Sequence, residues 1–428
     1  MIGAIADDFT GGTDVAVAFR RAGLRTVILF GGTADAHELP DHDAVVVALK
    51  TRTIPVQDAV AQSIAAVAWL RQHGADQIFF KYCSTFDSRP DGNIGPVADA
   101  LALMLDAPRA VVVPSSPEHG RTQYMGHLFV GDQLLSDSPM RHHPLTPMTD
   151  SFIPRVLEPQ TSRTVTLVDH ATVCDGRGAV TRALDAAQAD GAGYIVVDAI
   201  TPADLVEIGH ACLDDVLVTG AAGLAGGLGA ARVARTAGSD SDLRSVQQSD
   251  PVGHVPAAVL AGSCSARTLE QVADMRQTHD AFQLDAVATP DAQALAAKAL
   301  TWYDALAPAK APLIYSSLPP DELRRSQETL GIDRASEINE TAMGLIARGL
   351  IDRGVRRVVV AGGETSGAVV TALKVDGGLI GDEAAPGVPW IYTNTHEPVA
   401  LLLKSGNFGD RTLLTRSVDN YAHQEAHA

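Results

Sequence analysis

Long hydrophobic runs are missing from this chain of 428 residues, and so is any cysteine pattern. No apolar stretch approaches the ~18 residues that a membrane-crossing helix needs. The residues ahead of Asp7 are apolar but carry no basic lead, so no secretory leader is expected. Cys83, Cys174, Cys212 and Cys264 lie far apart and form no C-x-x-C pair. That excludes a zinc ribbon or a disulfide framework and points to reduced thiols in a cytoplasmic protein. Basic side chains are scarce, 33 against 51 acidic ones, and the net charge of −18 makes DNA or an anionic membrane an unfavourable partner. Two nucleotide fingerprints are absent as well. G-x-G-x-x-G occurs nowhere, which counts against a dinucleotide enzyme, and no lysine follows the stretch "GGETSG", which excludes a Walker loop.

What remains is an ordinary globular composition, 46% hydrophobic and 20% charged, in a chain long enough for two or three domains. Short apolar runs alternate with helix-period segments. "IGAIA", "RTVILF", "AVVVAL", "QIFFK", "AVVV", "TVTLV", "YIVVD" and "VLVTG" read as strands in the first half. "AAVLAG", "LIYSS", "RRVVVAGG", "WIYT" and "VALLLKSG" continue the series in the second. Strands separated by helices imply βαβ units and a mainly parallel sheet. The polar stretch from Thr236 to Pro256 breaks the pattern and reads as a linker. The expected architecture is therefore two doubly wound α/β domains, 1–235 and 257–428, joined by 236–256, with an active site in the cleft between them. The Pro-rich segment Ser138–Ser151 reads as a long functional loop or lid.

Ligands of open α/β sheets bind at the carboxyl ends of the strands. In the first half that places Asp7 and Asp8 of "AIADDFTGGTD" where chemistry happens, either as a base or as acceptors for hydroxyl groups. An aspartate there can equally cap the helix that follows. "KYCSTFDSRPDGNIGPV" also follows a strand: Lys81 or Arg89 would suit a carboxylate ligand, with Ser84 and Asn93 as orienting donors. The alternative is a turn-rich surface loop. His119 and Arg121 follow the "AVVV" strand, and a lone histidine in such a place is more often structural. His142 and His143 lack the spacing of a metal-binding helix, and no protein metal site is assigned.

In the second half, three small-residue loops follow strands: "AGSCSART" with Ser263, "AGGETSGA" from Gly362 to Gly367, and "LKSGNFGD" with Gly406. Together they suggest one nucleotide crevice. A glycine-rich strand-to-helix turn cradles phosphate through backbone amides. Gly362, Gly363, Glu364, Thr365, Ser366 and Gly367 form that turn, and Gly363 is the position where a side-chain-free backbone is expected to matter most. Glu364 would repel a polyphosphate unless it faced a Mg²⁺ shell or ribose hydroxyls.

The blocks "IADDFTGGTD", "KYCSTFDSRPDGNIGPV", "HPLTPMTDS", "GSCSART", "GGETSGAV" and "LKSGNFG" resemble the four-carbon acid sugar kinases, nearly from end to end. Many members of that family carry Lys-x-Asp-Ser-Thr-Leu-Arg-Gly-Asn in the second block. Here it reads Lys81-Tyr82-Cys83-Ser84-Thr85-Phe86-Asp87, with Gly92 and Asn93 further on. The variant is most similar to the 3-oxo-tetronate 4-kinase branch, although Arg89 stands where that branch has threonine. The resemblance implies an ATP-dependent kinase acting on the terminal hydroxyl of a four-carbon sugar acid, with Mg²⁺ carried by ATP. It puts the acid on the N-terminal domain and the nucleotide on the C-terminal one. One of Asp7 and Asp8 would take the hydroxyl proton. Lys81, Arg89 and the His119–Arg121 turn would meet the acid end. Gly362 to Gly367 would wrap the phosphates, with Ser263 and Gly406 lining the same crevice. A homodimer is compatible with this reading. A D-threonate or erythronate kinase, or a sugar-acid sensor without turnover, is the alternative; a dehydrogenase is more distant.

Overall fold

The computed structural model describes residues 1–32, 39–142, 146–237, 250–306, 311–395 and 397–419. They fall into two compact units, Met1–Gln247 and Gln248–Ala428. Of the expected linker, residues 238–249 lie outside the described ones. Among the described residues, no helix is long and apolar enough to cross a membrane.

The first unit holds β1 (Ile2–Ala6), β2 (Thr26–Phe30), β3 (Ala44–Ala48), β4 (Gln77–Lys81), β5 (Ala110–Val113), β6 (Arg121–Tyr124), β7 (His127–Val130), β8 (Gln133–Leu134), β9 (Thr164–Val168), β10 (Ala192–Val197) and β11 (Leu217–Gly220). Eight of them run in the order β2-β3-β1-β4-β11-β5-β10-β9, every pair parallel. β1, β3 and β4 are buried along their whole length, as a sheet covered by helices on both faces requires. β1 lies between β3 and β4, so the chain leaves it in one direction and later returns on its other side. That reversal is where the carboxyl ends of neighbouring strands open a crevice. β6, β7 and β8 form a small antiparallel sheet that is not among the strands expected from the sequence. Its strands are too short and polar to stand out by periodicity. Asp198, fully buried, anchors this sheet by accepting from the amides of Met125 and Gly126 and from Gln123 Nε2.

The second unit continues with β12 (Ala257–Ala261), β13 (Ala281–Gln283), β14 (Leu313–Tyr315), β15 (Arg357–Ala361), β16 (Gly377–Ala385), β17 (Val388–Thr393) and β18 (Ala400–Lys404). Their order is β13-β14-β12-β15-β18-β17-β16. The run from β13 to β18 is parallel, and the β16–β17 hairpin closes it antiparallel. Val259, Val359 and Leu402 on adjacent strands meet Trp390 in one core. β12, β15 and β18 are neighbours, so the loops at their carboxyl ends lie side by side. Both units are thus α/β with mainly parallel sheets, the class expected from the sequence.

Candidate active site

In the first unit, β1, β3 and β4 each deliver one part of a charged cluster. The Asp7 backbone is held from both sides: its amide donates to Lys81 O (3.2 Å), and its carbonyl accepts from the Thr51 amide (2.9 Å). The Asp7 carboxylate receives both arms of Arg52, Nε at 2.8 Å and Nη2 at 2.9 Å. Asp8 Oδ2 lies 3.0 Å from the same guanidinium, while Asp8 Oδ1 accepts from the Gly11 amide (2.7 Å). Asp8 therefore caps the helix Phe9–Arg21, one of the two roles open to it from the sequence, and its side chain stays 33% exposed. Burial pulls the Arg52 pKa down, but the hydrogen bond and charge of Asp7, then the charge of Asp8, more than offset it and hold its proton more firmly than usual.

Lys81, at the end of β4, is buried, and its ammonium stands over Gly11. A Cβ on Gly11 would lie 2.4 Å from Asp8 Oδ1 and 2.5 Å from Lys81 Nζ, so a side chain there would displace both charged groups. Asp14, one helical turn beyond Gly11, joins the group. Burial pushes its carboxyl up, against the lowering pull of Lys81 and then His119. His119 is held by Ser116 Oγ at 2.9 Å from its Nδ1, and Arg121 turns its guanidinium back onto the His119 carbonyl. Arg52 and Asp14 escaped the sequence reading. The signal for Arg52 was its place just past a strand that pairs with β1; for Asp14 it was the helix face shared with Gly11.

Other expected contacts fall elsewhere. Asn93 donates both amide hydrogens to backbone, Thr51 O (2.7 Å) and Ile54 O (2.9 Å), so it secures the loop that carries Arg52 and has no donor left for a ligand. Ser84 is half-buried. Arg89 pairs with Asp91 (3.1 Å) and lines a cavity of about 360 Å³ with Met148, Asp150 and Arg155, to which Asp7, Asp8 and Lys81 do not contribute. The segment Ser138–Ser151 supplies one wall of that cavity; its residues 143–145, including His143, lie outside the described ones. Between Lys81 and Arg89 the chain takes a strained course: Phe86 is fully buried at φ +51°, and Thr85 Oγ1 donates to Asp87 Oδ1 (2.6 Å).

In the second unit, the three loops are tied to one another by hydrogen bonds. The amides of Gly262 and Ser263 donate to Ala361 O (2.9 and 3.1 Å), and the Gly362 amide donates to Lys404 O (2.9 Å). Ser265 Oγ donates to Gly406 O (2.6 Å). Helix Gly363–Leu373 begins here without a side-chain cap, so its first-turn amides have no side-chain acceptor. The Ser366 hydroxyl is buried without a partner. The positive φ of this loop is at Gly362 (+132°), where a Cβ would come within 3.0 Å of the Ser263 nitrogen. Gly363, the position expected to need a bare backbone, has an ordinary φ and open space where its Cβ would be. The sequence does not show which glycine of a pair absorbs the turn and which starts the helix. A fourth loop, Ser316–Leu318, joins through Ser316 N to Ala261 O (2.8 Å) and Leu318 N to Cys264 Sγ (3.4 Å). The sequence reading had assigned its serines to the strand. Glu364, exposed on the first turn of the helix, stands near Glu340, whose carboxyl is pushed up by burial and by the Glu364 charge.

Residues 2–228 match the family model described as a sugar-binding N-terminal domain, and 258–414 match a nucleotide-binding C-terminal domain. The chain belongs to the four-carbon acid sugar kinase family. A 3-oxo-tetronate kinase of Burkholderia multivorans is 47% identical over 411 residues, 96% of this chain and 94% of that one. One of Pseudomonas fluorescens is 45% identical over 428 residues, 100% of this chain and 98% of the relative. The crystal structure of a Haemophilus influenzae protein, 38% identical, superposes with a TM-score of 0.88 over 97% of this chain and 98% of that one.

Proposed function

We propose that this family member is an ATP-dependent kinase that converts 3-oxo-tetronate to 3-oxo-tetronate 4-phosphate. The observation that carries the reading is 45% identity along all 428 residues to a protein named 3-oxo-tetronate kinase. The first unit takes the sugar acid and the second the nucleotide. Phosphoryl transfer asks little covalent chemistry of a protein; it needs reactants held in line and charge stabilised. The terminal hydroxyl oxygen attacks the γ-phosphorus, ADP leaves, and the hydroxyl proton passes to a carboxylate.

Asp8 is the better candidate for that carboxylate. Arg52 occupies both oxygens of Asp7, which is 7% exposed at its side chain, whereas Asp8 is 33% exposed beside Lys81. Arg52 and the Gly11 amide fix its direction. Lys81 and His119 are the side-chain donors available to the acid end. In the second unit the first-turn amides of Gly363–Leu373 receive the phosphates, with Ser263 and Gly406 beside them. Among the described residues no three His, Cys, Asp or Glu side chains gather into a metal cage. Glu340, whose carboxyl is raised by burial and then by the charge of Glu364, and Glu364 itself are carboxylates that would suit a hydrated cation arriving with the nucleotide. When bound, Mg²⁺ would neutralise charge on the phosphate oxygens.

An ADP-release assay with 3-oxo-tetronate, threonate and erythronate tests the reading. Acid-dependent ADP release, fastest per unit KM with 3-oxo-tetronate, is expected. A higher kcat/KM with threonate or erythronate would replace the substrate. Tight acid binding without ADP release from any of the three would leave a sensor.

A further inference from the structure

No Walker lysine reaches into the nucleotide loops, yet a lysine lies directly beneath them. Lys404 ends β18 and is 1% exposed. Its ammonium has no carboxylate partner among the described residues. It donates instead to Gln271 Oε1 (2.6 Å), Thr268 Oγ1 (3.0 Å) and Gly406 O (3.0 Å), with Phe408 O at 3.4 Å. A buried charge without a counter-charge is costly and needs a reason to be there. The acceptors supply one. Gly406 O also receives Ser265 Oγ (2.6 Å) and Thr268 Oγ1 (2.9 Å), and Gln271 Nε2 donates to Phe408 O (3.1 Å) and Asp410 O (2.7 Å). The carbonyls of residues 406, 408 and 410 are thus all drawn towards Lys404 and helix Ala266–Met275. On its other side Gly406 packs so closely on Ser263 that a Cβ would sit 2.6 Å from Ser263 Oγ.

A loop that receives a polyphosphate must not present carbonyl oxygens to it. We infer that Lys404 is the positioning residue of the nucleotide site: its ammonium turns the Gly406 and Phe408 carbonyls inward and fixes their loop against Ser263, without touching the nucleotide. The inference rests on the nucleotide assignment proposed above. A neutral amine keeps two N–H donors where the ammonium has three, and it loses the charge that holds the carbonyls. Burial, and then the charge of Arg267, push the Lys404 pKa down to about 8, so this loss falls within an accessible pH range. The ionisable groups on the surrounding elements are Arg267, Glu270 and Asp274 of the helix, Asp410 and Arg411 of the loop, Arg416 of the last helix, and Glu364. Glu270 pairs with Arg267 (2.8 Å), Asp274 with Arg411 (3.3 Å) and Asp410 with Arg416 (3.3 Å).

Function and stability then respond to pH in opposite directions. The unfolded chain keeps the lysine proton up to about 10.4, whereas the folded chain gives it up near 8. Between those values the unfolded state binds more protons, so this group's contribution to stability rises with pH. ATP affinity lost over the same range is therefore not a by-product of unfolding.

Calorimetric titration of the full chain with ATP, and separately with 3-oxo-tetronate, tests this. Lys404→Met should weaken ATP binding about tenfold or more, the equivalent of one charged hydrogen bond, and leave the acid within about twofold. Wild-type ATP affinity should fall as pH rises from about 7 to 9.5, and the variant's should not. If Lys404→Met fails to fold, the wild-type pH series and Gln271→Leu, expected to weaken ATP alone, decide. A folded Lys404→Met with wild-type ATP affinity, or a wild-type affinity flat across that range, would overturn the inference. No ATP binding by the wild type at any pH would instead reject the nucleotide assignment, and the inference with it.

Discussion

Substituting Gly362 and Gly363 one at a time separates backbone strain from phosphate contact. Gly362 sits at φ +132° and ψ +136°, a region that glycine alone enters freely. A Cβ there would meet the Ser263 nitrogen at 3.0 Å and Thr365 Oγ1 at 3.1 Å. Gly362→Ala thus carries about 1–3 kcal/mol of backbone strain. For a domain the size of the second unit, Gln248–Ala428, that is roughly 2–4 °C in Tm per kcal/mol. Relieving the strain rotates the first-turn amides, and each donor aimed at developing charge is worth about 2.7–4 kcal/mol, or 10²–10³-fold in rate. kcat/KM for ATP should therefore fall by at least that factor, together with Tm. Gly363 differs. It is the first residue of the helix, and its missing Cβ faces open space. Valine is no worse than glycine in a helix, so Gly363→Val should leave Tm within about 1–2 °C of wild type. It would nonetheless fill the space in front of the amides and abolish ATP binding. Scanning calorimetry with ATP and sugar-acid titrations reads both effects, and acid binding should survive in each variant. A Gly363→Val chain that binds ATP like the wild type would refute the reasoning: the loop would be a structural turn, and the phosphates would lie elsewhere.

Asp8→Asn should lower kcat by roughly 10²–10⁴-fold, the usual span for loss of a general base, while Tm holds because asparagine caps a helix equally well. Normal turnover in the folded variant would move the proton to Asp7. Asp14→Asn addresses the buried third carboxylate. Its folded pKa is raised, so the folded state holds the proton longer than the unfolded chain, and the wild type loses stability as pH rises through that interval. The variant should gain stability relative to wild type as pH rises above about 4, read by denaturant titration at each pH. A constant difference across the series would mean that Asp14 does not titrate abnormally.

Much of the fold was legible because parallel strands buried on both faces have a strong signature. "IGAIA", "QIFFK" and "AVVV" coincide with β1, β4 and β5. β6 to β8 and β16 were not legible. "RTQY" is polar, and "GGLIGDEAA" mixes glycines and acids that disfavour strands, so these elements form through pairing that no local window contains. The site divides the same way. Asp7, Asp8, Ser263 and Gly362 lie just past strands and Lys81 ends one, so position alone marks them as candidates. Arg52 becomes visible only when β3 is known to lie beside β1, and Asp14 only when its helix face is known to meet Lys81. Asn93 shows the reverse: a polar residue in the right loop whose hydrogens are already committed to backbone carbonyls.

On the proposed function the two units would meet an anionic reactant in different ways, and the difference would follow from what each must recognise. A triphosphate offers many equivalent oxygens, so backbone amides at a helix start would suffice, with Lys404 serving to turn competing carbonyls away as inferred above. A four-carbon acid offers one carboxylate and a few hydroxyls, so it needs donors and acceptors at fixed, unequal positions. The Asp7–Arg52–Asp8 group would provide them on side chains whose backbone is held by strand pairing on both sides of β1. Neither ligand is drawn in by the protein as a whole, because a net charge of −18 repels both at long range. That field is largely screened beyond about 8 Å at physiological ionic strength. Within that distance, on the proposed function, the half-buried guanidinium of Arg52, the ammonium of Lys81 and the uncapped amides after Gly362 would govern binding. An acidic chain can therefore select anionic substrates, provided its few cations are held where water and salt do not screen them.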